Sequence, residues 1–289
     1  MNASREKSLI TGAGGMLGSY VNFGTRMTRE SLDVQDLRSV RTAFREHRPS
    51  LVLHLAAATN LIECERRPEM TYRVNTIGTY NVALAAREIG ARMFYVSSSA
   101  VFDGKKNGPY AEDDLPNPQT HYGHSKYAGE LIVAGMGTDC VIARTCWMFG
   151  GGPSKDRKFV ASILKQLNKP NIEVISGKYG SPTYGKDFIE AVLRLAEEGK
   201  TGIFHVANAG APTRVDVAEE IMRITGSSAK IVEVDASVLE AEYPGAGARG
   251  NESVASTRIT LRPWQEALAE YIRTEWSGII QKPHERLRS

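Results

Sequence analysis

The chain has 289 residues, 42% hydrophobic and 24% charged, with 36 Lys+Arg against 33 Asp+Glu for a net charge of +3. These proportions are those of an ordinary globular protein and exclude a disordered or fibrous chain. No apolar run approaches the ~20 residues that span a bilayer, the start is polar rather than leader-like, and the interleaved charges offer no stripe for nucleic acid. Neither a membrane nor a nucleic acid is therefore expected as a partner. Three scattered cysteines (Cys64, Cys140, Cys146) suit neither a disulfide framework nor a zinc site, so a cytoplasmic protein without a metal is expected.

Taken in order, the chain alternates strands and helices. Ser8–Thr11 reads as a short apolar strand running into glycines, residues 16–22 as the start of a helix, and 23–28 as a second strand. Residues 34–47 carry Leu37, Val40 and Phe44 at helical spacing. A buried strand at 51–55 follows, then a helix at 79–89 stopped by Gly90. Residues 93–97 read as a strand, 122–133 as a helix and 140–144 as a strand. Such alternation implies parallel strands joined by crossover helices. The expected fold is α/β, a Rossmann-type doubly wound parallel sheet with its ligand at the carboxyl ends of the strands. After Arg144 the texture changes. Gly150, Gly151, Gly152 and Pro153 form a hinge-like stretch, followed by a helix at 159–167 and a strand at 172–175. A helix at 187–196 and a strand at 202–207 return to the sheet, and a helix (215–224), a strand (231–234) and a helix (263–273) complete the chain. We therefore expect a dinucleotide-binding domain of residues 1–147 plus about 185–208. A smaller α/β substrate lobe would take about 148–184 plus 209–289, with the basic tail from Lys282 fraying in solvent.

Three segments carry chemistry. Gly12-x-x-Gly15-x-x-Gly18 follows the first strand and leads into a helix pattern. Glycines let the backbone turn tightly and approach a pyrophosphate, whose charge is stabilised by N–H groups at a helix start. Tyr122-Gly-His-Ser-Lys126 sets a phenol and an ammonium four residues apart, on one helix face. A nearby positive charge lowers the pKa of the phenol, which can then give or take a proton near neutral pH. Ser98 and Ser99 end a strand where a doubly wound sheet binds ligands, and a hydroxyl there can hydrogen-bond a substrate carbonyl. Each segment alone has a plain structural explanation: a tight turn, a surface pair, a capped strand end. Together, in this order, they point to a site.

These segments resemble the extended short-chain dehydrogenase/reductases, and within them the sugar-nucleotide reductases. The likeness extends to Leu32-Asp33-Val34-x-Asp36, His54-Leu-Ala-Ala-Ala-Thr59, Val74-Asn75, Pro109-Tyr110-x-Glu112, Arg144-Thr-Cys-Trp147, Gly180-Ser-Pro-Thr183 and Gly202-x-Phe-His205. The resemblance implies that Gly12, Gly15, Met16 and Leu17 hold a pyrophosphate. Asp33 and Val34 would border an adenine, and Ala56, Ala57 and Ala58 would pass under the ribose and nicotinamide. Lys126 would bond the nicotinamide ribose. Tyr122 would be the general acid, assisted by Ser98, while Ser98, Ser99 and Trp147 would face a sugar. Asn75 is assigned to the fold. The sugar side departs from the family: Ser98-Ser99 replaces Thr-Asp, Gly177-Lys178 replaces Asp-Gln, Lys158-Phe159 replaces Asn-Phe, and Arg249-Gly250 replaces Arg-Pro. The first helix and second strand are also compressed. Lys158 and Lys178 become candidates for contact with a diphosphate or an acidic group on the sugar, the alternative being two solvated surface lysines.

The reaction implied is NAD(P)H-dependent reduction of a keto group, at C4, on a nucleotide-linked deoxysugar. A sugar-nucleotide epimerase of the same family and a non-catalytic dinucleotide-binding regulatory subunit remain open. A 4,6-dehydratase is disfavoured, because Ser99-Ala100 stands where that chemistry needs an Asp-Glu pair. Asp33 lies 21 residues after Gly12, a spacing that ordinarily signals NAD. It is better placed to cap a helix starting at Val34. Arg26 and Arg29, at the end of the second strand, suit a 2′-phosphate. NADPH is therefore the expected cofactor, with Arg29 as its contact and NADH as the alternative. The family-level expectation for assembly is a homodimer.

Overall fold

The computed structural model describes residues 7–137, 139–237 and 250–278; the basic tail and Arg249 fall outside them. Its strands are β1 (Ser8–Thr11), β2 (Thr25–Met27), β3 (Leu51–His54), β4 (Arg92–Ser98), β5 (Cys140–Thr145), β6 (Met148–Phe149), β7 (Asn171–Ile175), β8 (Thr183–Tyr184), β9 (Gly202–His205) and β10 (Lys230–Val234). Its helices are α1 (Leu37–His47), α2 (Leu61–Arg66), α3 (Pro68–Tyr72), α4 (Gly78–Glu88), α5 (His121–Gly135), α6 (Gly152–Lys155), α7 (Phe159–Leu164), α8 (Gly185–Glu197), α9 (Arg214–Thr225) and α10 (Trp264–Glu275). Among the described residues no helix is long and apolar enough to cross a membrane.

Six parallel strands form the central sheet, in the order β2-β1-β3-β4-β5-β9. The chain moves outward from β1 to β2, then returns to the other side for β3. That reversal opens a crevice at the carboxyl ends of β1 and β3. Side chains alternate along each strand. Leu9, Val52, Met93, Tyr95 and Ile142 pack on one face, and Ile10, Leu53, Phe94, Val141 and Ala143 on the other. Both faces are apolar because both are covered. Helices α1, α4 and α5 cover the first through Phe44, Val82, Ala86 and Val133. Helix α8 covers the second through Phe188, Ile189, Val192 and Leu195. A separate core, built on Phe149, Ile172, Tyr184, Ile221, Leu268, Tyr271 and Trp276, gathers the smaller β7–β10 and β6–β8 pairs with α7, α9 and α10.

The largest departure from expectation is at the start. Residues 16–22 do not open a full helix; they make one 3-10 turn, Leu17–Tyr20, after which Val21 is extended. Tyr20 is drawn instead into the second lobe, where its hydroxyl donates to Glu275 Oε1 (2.7 Å) and accepts from Gly151 N. Arg26, expected to face a phosphate, is taken up by backbone carbonyls instead. Its guanidinium bonds Gly18 O (3.2 Å) and Ala13 O (3.5 Å), bracing the glycine turn from outside. A smaller correction concerns α1, which starts at Leu37 because Asp36 is its N-cap, accepting from Arg38 N. Asp33 makes an Asx turn to Gln35 N (2.9 Å) just before it. Helices α2 and α3 and the π-helical turn Arg73–Ile77 were not evident in the sequence pattern.

Candidate functional site

The floor of the site is the glycine turn. Gly12 has φ +69°, and a Cβ there would lie 2.6 Å from Ala56 N. A Cβ on Gly18 would lie 2.3 Å from Ala13 O. These two glycines let the turn fold onto itself and onto the end of β3. A Cβ on Gly15 would meet only Gly12 O, at 3.3 Å, so this glycine keeps open a cradle that a side chain would fill. Gly12, Gly15, Met16 and Leu17 line a cleft of about 330 Å³, a shape and lining that suit a dinucleotide's pyrophosphate. Of the three alanines after β3, Ala57 lines the cleft. Ala56 packs beneath Gly12, and Ala58 is held by Asn75, whose amide accepts from Ala58 N (2.8 Å) and donates to Ala58 O (3.1 Å).

Helix α5 supplies the proton-transfer candidates. Thr120 caps it by accepting from Gly123 N (3.1 Å), which sets Tyr122 in the first turn. Two glycines press the helix inward: a Cβ would fall 2.2 Å from Ala100 O at Gly123, and 2.2 Å from the Tyr95 hydroxyl at Gly129. Tyr122, Lys126 and Glu130, four apart, form one stripe. Tyr122 and Lys126 line the cleft with Ser98 and Ser99. Lys126 is only 3% exposed, with Nζ 4.2 Å from the centre of the Tyr95 ring. Burial brings its pKa down to about 7, against the pull of Glu130 one turn further on. Glu130 is itself fixed by Arg144 (2.7 Å) and Ser97 Oγ (2.5 Å). Ser98 Oγ accepts from Ala100 N (3.2 Å). Beside it in register, Thr145 also lines the cleft, and its buried hydroxyl has no partner among the described residues.

Further polar links hold the helix in place. Asn75 Nδ2 donates to Ser125 Oγ (3.0 Å), which donates to Tyr122 O (2.7 Å). Glu65 Oε1 accepts from Tyr122 N (3.2 Å). His54 joins β1 to α4. Thr79 donates its proton to Asn75 O (2.6 Å), so it accepts from His54 Nε2 (3.1 Å), leaving Nδ1 to accept from Thr11 Oγ1 (2.7 Å). Burial, with Lys126 nearby, lowers the imidazole pKa to about 3 and keeps it neutral.

On the opposite wall, Trp147 adopts a left-handed backbone (φ 37°), which swings its ring over Gly180. A Cβ on Gly180 would sit 2.2 Å from that ring, so the glycine of Gly180-Ser-Pro-Thr183 makes room for the indole. Trp147 Nε1 donates to Glu252 Oε2 (2.7 Å). Arg214 lies 5.4 Å from the Trp147 ring centre and 5.2 Å from that of Phe159. Lys158 lines the cleft and reaches across it to Thr59 O (2.9 Å) and Thr59 Oγ1 (3.2 Å). Burial lowers its pKa, with Asp156 opposing.

The cleft thus gathers the glycine turn, Ala57, Ser98, Ser99, Tyr122, Lys126, Trp147 and Lys158. It does not gather Arg29 and Asp33, which are exposed near β2, or Val34, which is buried against Gly78. Lys178 also stands outside the lining; it is 5% exposed and lies close enough to Asp235 to lower that carboxyl's pKa, after hydrogen bonds from Ser237. Neither lysine is a solvated surface residue. Arg214, Glu252 and Thr145 escaped the sequence reading. Thr213 and Asp216 form a capping box that marks a helix start, but nothing local marks Arg214 as stacked on two aromatic rings.

The RmlD substrate binding domain family matches residues 6–276. The spore coat polysaccharide biosynthesis protein SpsK of Bacillus subtilis is 37% identical, over 94% of this chain and 99% of its own. The dTDP-4-dehydrorhamnose reductase of Mycobacterium tuberculosis is 33% identical, over 93% of each. A crystal structure of dTDP-4-dehydrorhamnose reductase from Bacillus anthracis in complex with NADP matches with a TM-score of 0.86 at 27% identity, over 93% of this chain and 99% of its own.

Proposed function

The chain belongs to the RmlD substrate binding domain family, and on that footing we propose that it is an NADPH-dependent reductase of a 4-keto, nucleotide-linked deoxysugar, like dTDP-4-dehydrorhamnose reductase. One observation carries the reading: Ser98, Tyr122 and Lys126 line the same cleft as the glycine turn. The dinucleotide, when bound, supplies the hydride. Residues 12–17 and Ala57 hold and orient it. Ser98 hydrogen-bonds the keto oxygen, and Tyr122 gives its proton to the oxyanion as charge develops there. Lys126, buried one turn below, favours the tyrosinate left behind and bonds the nicotinamide ribose. Trp147, Ser99 and Lys158 form the sugar side of the cleft. The preference for NADPH rests on Arg29, exposed at the turn after β2, and on the NADP held by the similar Bacillus anthracis enzyme.

The test is consumption of NADPH by the purified protein with a panel of 4-keto nucleotide sugars that includes dTDP-4-dehydrorhamnose. Turnover of at least one is expected. Tight dinucleotide binding without turnover of any would make the chain a regulatory subunit. Interconversion of C4 epimers with a retained cofactor and no net oxidation would make it an epimerase.

A further inference from the structure

The first helix is missing where a dinucleotide-binding sheet most uses one. Peptide dipoles in a long helix place positive charge at its N-terminus, beside the pyrophosphate. Here the glycines lead into a 3-10 turn of four residues, too short to supply that charge. The cause is Tyr20. Its hydroxyl is tied to Glu275 and Gly151 N, and its side chain occupies the space where Cβ atoms on Gly150 and Gly185 would fall, 2.6 Å from the hydroxyl oxygen and 2.7 Å from the ring.

The same tie draws another cation in. Anchored through Gly151, helix α6 lies over the glycine turn, and a Cβ on Gly151 would sit 3.3 Å from Ser19 Oγ. Its last residue is Lys155, whose Nζ donates to Gly14 O (2.8 Å), between Gly12 and Gly15. Among the described residues no carboxylate pairs with this ammonium. The two acids nearest to α6 are engaged elsewhere. Asp156 accepts from Tyr271 Oη (2.9 Å) and Gly150 N (3.3 Å), while Glu275 accepts from Tyr20 and Tyr184. Lys155 is exposed, so its long stem can move.

We propose that Lys155, contributed by the substrate lobe, binds the pyrophosphate of the dinucleotide and takes over the charge of the absent helix. The inference rests on the cofactor part of the reading above. On binding, the ammonium exchanges a neutral carbonyl, Gly14 O, for an ionised phosphate oxygen, a hydrogen bond about twice as strong.

The experiment is fluorescence titration of NADPH and NADH against wild type, Lys155→Gln and Lys155→Arg at low and high salt. Lys155→Gln is expected to raise Kd about tenfold for both dinucleotides and to flatten its salt dependence, with Lys155→Arg recovering most of the loss. Unchanged Kd would overturn the proposal. A loss confined to NADPH would overturn it in favour of a 2′-phosphate contact. A loss with unaltered salt dependence would reduce Lys155 to a brace for Gly14. If the wild type binds neither dinucleotide, the proposal and the reductase reading both fall. Binding without turnover of any keto sugar would defeat only the latter.

Discussion

Two helix starts meet at the cleft, and they are built differently. The first, Leu17–Tyr20, is a single turn braced from outside by Arg26 and tied away by Tyr20. The second, α5, runs fifteen residues, is capped by Thr120, pressed onto β4 at Gly129 and onto the turn after β4 at Gly123, and backed by the buried Glu130–Arg144 pair. Phosphate binding needs positive charge within a few ångströms, and any side chain that reaches can supply it. Proton transfer needs a donor held at hydrogen-bond distance and in line. A chain can therefore shorten the first helix and recruit charge from elsewhere, but it cannot loosen the second.

That contrast is easiest to break at Tyr122. Tyr122→Phe should lower kcat by ~10²–10⁴ while leaving the Kd for NADPH unchanged. Equal damage to binding would mean that the two helix starts are not separable. Next comes the polar clamp behind α5. Asn75→Ala removes the acceptor of Ala58 N and one partner each of Ala58 O and Ser125 Oγ. It should cost roughly 2–4 kcal/mol in urea unfolding, the scale of a few unmet buried hydrogen bonds. A loss below that range would show that α5 does not depend on the clamp.

Lys126 gives a pH signature. Its pKa is about 7 when folded against the ordinary lysine value of 10.5, so between these values the unfolded chain binds the extra proton. Stability of the cofactor-free protein should therefore rise with pH across that window and fall as pH drops toward 7. Lys126→Met should flatten the slope, as measured by urea midpoints at several pH values. An unchanged slope would mean the ammonium is not desolvated. The smallest effect belongs to the turn after β2, on the side of the first helix start. Arg29→Ala should lower kcat/KM for NADPH about tenfold and spare NADH, the loss of one charged phosphate contact. Loss with both cofactors would move Arg29 away from the 2′-phosphate.

The legible parts of the molecule were those with local grammar. The glycine turn follows its strand directly, Tyr122 and Lys126 share a helix face by spacing alone, and Ser98 ends a strand that reads as a short continuous apolar run. What defeated the reading were partners far along the chain. Residues 16–22 carry a helix-start pattern, but Glu275, 255 residues on, decides where Tyr20 goes. Arg26 sits at a strand end that suggests a phosphate, yet the carbonyls of Ala13 and Gly18 take it first. Lys158 and Lys178 differ from the family pattern in the same way on paper. Only packing puts one across the cleft and the other inside the lobe.

The setting of Trp147 has an optical consequence. The chain has three tryptophans; Trp264 and Trp276 are buried in the second core, and Trp147 alone lines the cleft. Its indole lies under the Arg214 cation and donates a hydrogen bond to a carboxylate, Glu252. Any ligand that settles there shifts the electric field and the polarity felt by that one ring. The protein carries its own fluorophore for the sugar end of the cleft, and its emission would report occupancy without a label.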